Sequence, residues 1–247
     1  MELSTTESRF IEKKVELPAT VIERAEASHP GEEFKNEAEW LRCVKEDFPK
    51  FIPFLTKRCG LEFRGRILEI GAGGAWFSAE LSKLPQVVEI TATDVSARLL
   101  KGQALKVFRL LKAHEAKITR TPADFGKLGF PANHFDVVVC ADALHQAVSV
   151  VRVLREVRRV LKPGGIFVGI REPVRPLVKF RRKDKNGKTV PVPGYAVSEY
   201  RDFFEHAGMK LELKRVVLSR GFKYYFDKAV NGLTHARYAF VATKAGQ

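Results

Sequence analysis

The chain has 247 residues, 45% of them hydrophobic, enough for one sizeable core and in keeping with a single domain. It carries a formal net charge of +14, unevenly spread: residues 1–50 hold 12 acids and 8 bases, so residues 51–247 carry +18, a field that favours an anionic partner. The absence of any 18-residue apolar stretch excludes a membrane-spanning helix. Met1–Phe10 lacks the apolar core of a secretion signal, and Cys43, Cys59 and Cys140 show neither disulfide nor metal-ligand spacing, as expected of free thiols in the reducing cytoplasm.

Residues 1–10 are polar and expected to fray. Residues 11–63 read as helical, with Phe48, Phe51, Ile52, Phe54 and Leu55 forming an apolar face. Ile67-Leu-Glu69-Ile-Gly71-Ala-Gly73-Gly74 is an apolar run with an acid that ends in a glycine-rich turn, and Ala75–Leu81 continues with helical character. A buried strand feeding a tight turn and a helix start lets a ligand approach the backbone closely. A nicotinamide fingerprint needs a small residue at its sixth position, where this chain has Trp76. No Gly-Lys-Ser/Thr is present, which excludes a P-loop. Val87–Thr93 is a β-branched run closed by Asp94. An acid at the tip of a second strand can accept hydrogen bonds from ribose hydroxyls, while a helix N-cap is the alternative for Asp94 and Ser96.

Further on, Ala123-Asp124-Phe125 leads through Phe130-Pro-Ala-Asn-His-Phe135-Asp136 into a strand at Val137–Cys140. Val150, Val151, Leu154, Val157, Val160 and Leu161 have helical spacing, and Arg152, Arg155, Arg158, Arg159 and Lys162 read as one solvated stripe opposite them. Pro163-Gly164-Gly165 stops this helix, a strand follows to Ile170, and Arg171-Glu172 ends it. Between about 177 and 193, six bases and Asp184 surround Asn186-Gly187, a hairpin signal. Ser198 and Gly208 read as the N-cap and terminating glycine of a last helix. Leu211–Ser219 and Ala236–Thr243 read as a closing antiparallel pair. The alternation of helix and strand patterns predicts an α/β fold with a mainly parallel sheet.

Glu69-x-Gly71-x-Gly73-Gly74, Asp94, the Asp124–Asp136 stretch and Leu161-Lys-Pro-Gly-Gly165 occur in this order over residues 65–170. Together they resemble the class I S-adenosylmethionine-dependent methyltransferases, in the small-molecule, methyltransferase-11-like branch. Ala123 departs from the family's usual glycine. The resemblance implies a Rossmann-like seven-stranded sheet, mainly parallel, with helices on both faces and an antiparallel last strand. It implies residues 1–63 as a helical lid over the donor and 64–247 as the core. It also implies binding of S-adenosylmethionine, and of its product S-adenosylhomocysteine, at Glu69, Gly71, Ala72, Gly73, Asp94, Val95, Ser96, Asp124, Phe125 and Ala141. Asp94 would take the ribose hydroxyls, Asp124 the adenine amino group, and Phe125 would pack near the ring.

The implied reaction is methyl transfer to an oxygen or nitrogen of a small metabolite, an anionic one in view of the charge, such as a sugar or natural-product intermediate. No Asn/Asp-Pro-Pro-Tyr/Phe follows the strand at 137–140, and no appended RNA-binding domain is recognisable. The alternative is an RNA-interacting protein, either an RNA methyltransferase or a donor-binding protein without catalysis. His145 is the best-placed candidate base, although the resemblance favours a packing and hydrogen-bonding role for it. Arg171 is a candidate to hold an acidic acceptor group, or else to pair with Glu172 or another acid. Tyr195, His206 and His235 are outside candidates. No metal-ligand cluster is visible in the sequence.

Overall fold

Short apolar strands alternating with one-faced helices bury themselves best as a parallel sheet covered on both sides. The computed structural model describes residues 7–18, 20–23, 36–175, 194–219 and 237–245, with the backbone alone of 182–183 and 189–190. In chain order the strands are β1 (Arg9–Phe10), β2 (Gly65–Ile70), β3 (Val87–Asp94), β4 (Ile118–Pro122), β5 (Phe135–Ala141), β6 (Leu161–Ile170), β7 (Arg182–Lys183), β8 (Thr189–Val190), β9 (Met209–Arg215) and β10 (Tyr238–Lys244). The main helices are α1 (Glu37–Glu46), α2 (Trp76–Ser82), α3 (Ala104–Leu111), α4 (Val150–Val160) and α5 (Val197–His206).

The main sheet runs β1-β4-β3-β2-β5-β6-β10-β9. All pairs from β1 to β6 are parallel, and β10 is antiparallel to both its neighbours. Side chains alternate across it: Val137 and Val139 join the core under α1, α2 and α3, while Val138 and Cys140 join the core under α4 and α5. The expected apolar face at Phe48, Phe51, Ile52, Phe54 and Leu55 is buried in the first of these cores. No helix among the described residues is long and apolar enough to cross a membrane.

Four local expectations are corrected. The sheet has eight strands, not seven, because Arg9–Phe10 pairs with β4 instead of fraying. The nearly buried Arg120 fastens it: its Nη2 donates to Ser8 O (3.2 Å) and its guanidinium lies 5.7 Å from the Phe10 ring centre. Two residues are too few to show periodicity, so the pairing has no local signal. Secondly, residues 11–18 are not helical, and helix begins only at 20–23 and then at α1, capped by the Asn36 side chain. Thirdly, the expected basic stripe is solvated only in part: Arg152 and Arg155 of α4 are exposed, whereas Arg158, Arg159 and, at the start of β6, Lys162 are half-buried. Arg152 Nε donates to Gly126 O (2.9 Å), Arg159 binds Glu156 and Phe130 O, and Lys162 reaches both oxygens of Asp136 (2.8 Å each). Fourthly, α5 starts before Ser198, and Glu199 accepts the Ala196 N–H (2.7 Å) at its entry.

The backbone of β7 and β8 forms the expected antiparallel pair, with Lys183 opposite Thr189. A two-residue turn at Asn186-Gly187 would put Lys183 opposite Val190, so the pairing is offset by one residue from that expectation. The turn itself, the basic side chains of the hairpin and His235 lie outside the described residues.

Candidate active site

The carboxyl ends of β2, β3, β5 and β6 lie together, the edge where open α/β sheets bind ligands. At the end of β2 the chain turns through Gly71 (φ 62), Gly73 (φ 50) and Ala75 (φ 52), three left-handed positions in five residues. Gly74 has no room for a side chain either, since a β-carbon there would stand 2.6 Å from Trp40 of α1. Trp76, which argued against a nicotinamide pocket, is buried and stacked on Phe77 at 5.1 Å and packs against Phe48 at 4.8 Å.

Glu69 is buried inside this turn, and its Oε2 accepts both the N–H and the hydroxyl of Ser78 at the start of α2. Burial pushes its carboxyl up to about 7; the Ser78 hydrogen bonds oppose that shift, and the charge of Asp94 adds to it. The Asp94 carboxylate is held from two sides, by Gly73 N–H at Oδ2 (2.8 Å) and Ser96 N–H at Oδ1 (2.9 Å). Ser96 is fully buried, and its hydroxyl accepts the Leu99 N–H (3.1 Å), the capping role open to it from sequence. Ala72 donates to Thr93 O (2.8 Å), which locks the glycine turn to β3, and Val95 is buried beside them. Asp124 folds back on its own loop, accepting the Gly126 N–H (2.7 Å), and Phe125 packs at the rim of the second core. Ala141 ends β5 opposite Ile170.

Sequence reasoning missed Glu172 as a central group. Its side chain is fully buried, and its Oε1 accepts the N–H groups of Ala143 and Leu144 (2.9 Å each). Its Oε2 meets the His145 N–H (3.1 Å) and the ring Nδ1 (3.0 Å). Burial works to raise this carboxyl, but the hydrogen bond and charge of His145, with the Leu144 and Ala143 N–H groups, outweigh it and hold it below its ordinary value. Cys140, at 3.6 Å from the same carboxylate, has its thiol pushed well up by burial first and by Glu172 second. An ionised Glu172 has no proton to give, so Nδ1 supplies the hydrogen of their bond, and the basic lone pair of the neutral ring lies on Nε2. The signal available in sequence was an acid two residues after the end of a buried strand.

Of the two pairings open to Arg171, the structure favours an acid other than Glu172. Its Nη2 stands 4.0 Å from Asp142 Oδ2, and its guanidinium lies 4.2 Å from the centre of the Phe48 ring. Tyr195 packs edge-on against Tyr200 and Phe203 behind β6, while His206, at the end of α5, is exposed.

Residues 68–169 match the family described as "Methyltransferase domain". That match takes in under half of the chain, and over it the chain is similar to class I S-adenosylmethionine-dependent methyltransferases. Among its relatives is the ubiquinone/menaquinone biosynthesis C-methyltransferase UbiE of Pseudomonas aeruginosa, 33% identical over 113 residues that cover 45% of this chain and 43% of that protein. The chain thus spans under half the length of that relative. The protein of the same description from Nitrosospira multiformis is 28% identical over 242 residues, covering 90% of this chain and 96% of its own. The crystal structure of an S-adenosylmethionine-dependent methyltransferase from Mesorhizobium loti superimposes with a TM-score of 0.56 at 20% identity, covering 77% of this chain and 96% of that chain. The last likeness speaks for the fold alone.

Proposed function

We propose that this protein transfers the methyl group of S-adenosylmethionine to a small organic acceptor whose nucleophilic atom gives up a proton, with His145 as the base. The observation that carries the reading is the buried Glu172 carboxylate on His145 Nδ1. It orients the ring, sets the tautomer and stabilises the charge the ring takes up when Nε2 accepts a proton. A neutral amine needs no such base, whereas a hydroxyl or an acidified C–H does. The pair therefore favours an oxygen or carbon acceptor over nitrogen. Carbon enters through the C-methyltransferase relatives and widens the oxygen or nitrogen expected from sequence.

The residues at the glycine turn suit the donor. The Asp94 carboxylate, oriented at the tip of β3 by the Gly73 and Ser96 N–H groups, suits a pair of ribose hydroxyls. Gly71, Ala72, Gly73, Val95 and Ala141 would line the donor, Glu69 and Ser96 would brace it from behind, and Asp124 and Phe125 would take the adenine end. Bound there, the donor supplies a methyl group already activated by its sulfonium. Trp40 and Phe48, packed on the glycine turn and Trp76, support the part of the N-terminal segment from α1 to residue 63 as the cover that excludes water. The internal bonding of the α4 arginines weighs against an RNA surface there.

The test is incubation with methyl-labelled donor and a polar metabolite extract, followed by mass spectrometry of labelled products, beside calorimetry with the donor. Donor binding with labelled small molecules is expected. Donor binding with label appearing only in added RNA would overturn the acceptor class.

A further inference from the structure

Glu172 holds more of the structure than the His145 ring. The register of β5 and β6 pairs Ala141 with Ile170, and two residues further along each chain Ala143 meets Glu172. The buried Glu172 carboxylate gathers the N–H groups of three consecutive residues, Ala143 and Leu144 at Oε1 (2.9 Å each) and His145 at Oε2 (3.1 Å). Leu144–Gln146 is a single helical turn, so the end of β6 supplies the cap for the loop that follows β5. Bonds to an ionised acceptor are stronger than neutral ones, and a buried N–H that loses its acceptor is costly, which fixes this loop where Glu172 stands. The fixed loop in turn abuts the glycine turn. Ala143 is buried, and its β-carbon occupies the space that a side chain on Gly71 would need, 2.5 Å from where the added β-carbon would stand. From its other flank the same turn is bonded to β3, by Ala72 N–H to Thr93 O and Gly73 N–H to Asp94 (2.8 Å each). In a close-packed interior such neighbours pass a displacement on rather than absorb it. A chain of direct contacts thus leads from Glu172 through Ala143 to Gly71, and from there two residues along the backbone to the N–H that Asp94 accepts.

We infer that Glu172 is a positioning residue for the donor turn as well as for His145, and that it acts on the turn through Ala143. The carboxylate sets the spacing between the residues proposed to hold the donor and the residue proposed as base. Displacement at a methyl group requires nucleophile, methyl and sulfur in line, so the two loops need a common anchor. The inference rests on the donor site proposed above and names a group outside the glycine turn on which the geometry of that site depends.

The test uses the full chain without ligand and follows amide hydrogen exchange at Ala72 and Gly73, with His134, bonded to Val160 O at the far end of β5, as the reference for global loosening. Glu172→Gln keeps one acceptor oxygen for three N–H groups and is expected to speed exchange at Ala72 and Gly73 by about tenfold relative to His134. Glu172→Asp, which keeps the charge but withdraws it from the loop, takes its place should that variant not fold. Ala143→Gly, which keeps the Glu172 bonds and removes the contact with Gly71, is expected to have the same effect, and adding Glu172→Gln to it is expected to change these two amides by less than about twofold. His145→Asn is expected to leave both at the parental rate. Calorimetry with S-adenosylhomocysteine is expected to follow the same pattern: about tenfold weaker binding in Glu172→Gln and in Ala143→Gly, and parental binding in His145→Asn. Parental exchange in Glu172→Gln, full additivity in the double variant, or equal loosening in His145→Asn overturns the positioning role. A parent that does not bind S-adenosylhomocysteine overturns the donor site instead, and exchange in the unligated chain still decides the coupling between Glu172 and the glycine turn.

Discussion

Gly71 lies so close to Ala143 that a β-carbon on it would stand 2.5 Å from the β-carbon of Ala143. The glycine turn after β2 and the loop after β5 are thus in direct backbone-to-side-chain contact, and Gly71 serves protein packing before any ligand arrives. Gly71→Val combines overpacking with a branched side chain at positive φ and is expected to destabilise the fold by about 3 kcal/mol or more. Urea midpoints measure this. An unchanged midpoint with lost donor binding would show that the space beside Gly71 belongs to the ligand.

Asp94 is the residue with which to test the donor site separately from the fold. Asp94→Ala leaves ribose hydroxyls unmatched and is expected to weaken donor binding by about 1–3 kcal/mol. Part of that loss comes from releasing the N–H groups of Gly73 and Ser96. Asp94→Asn, which keeps one acceptor oxygen, should fall between parent and alanine. Calorimetry with S-adenosylhomocysteine reads both variants, and parental affinity in each would remove the ribose role.

The His145–Glu172 pair makes a kinetic prediction. As a base, His145 should give kcat/KM an acidic limb, with activity lost as the ring protonates. His145→Asn is expected to erase the limb and lower kcat by roughly 10²–10⁴ with donor affinity retained. Glu172→Gln should move the limb to lower pH, because removing a neighbouring carboxylate makes an imidazolium easier to deprotonate. A limb that persists in His145→Asn returns the histidine to the packing role favoured by sequence.

Glu69 makes stability depend on pH. Its carboxyl is raised to about 7 in the fold, by burial first and then by Asp94, against the Ser78 hydrogen bonds. Between the ordinary carboxyl range near 4.5 and that value, the folded state binds the proton more tightly than the unfolded state. Stability therefore falls as pH rises through this window, by ~3 kcal/mol in total. Glu69→Gln should flatten that fall when urea midpoints at pH 5 and pH 7.5 are compared. A parent with the same slope as the variant would mean that Glu69 ionises without penalty.

The sequence alone determined what is local. A β-branched run, a glycine turn and a strand-tip acid are read within a few residues, so β2, β3, the Glu69–Gly74 turn and Asp94 stand where the pattern put them. The same holds for β5, α4 and the closing antiparallel pair, shifted only at their ends. Tertiary structure decided whatever depends on which strands become neighbours. Glu172 meets His145 across 27 residues because β5 and β6 pair in one register, and a shift of one residue would turn that carboxylate to the other face. Gly71 meets Ala143 because β2 lies beside β5, and Arg9–Phe10 becomes a strand because a buried Arg120 is there to hold it. Periodicity encodes an element's own buried face, but it carries no record of the partner on the other side.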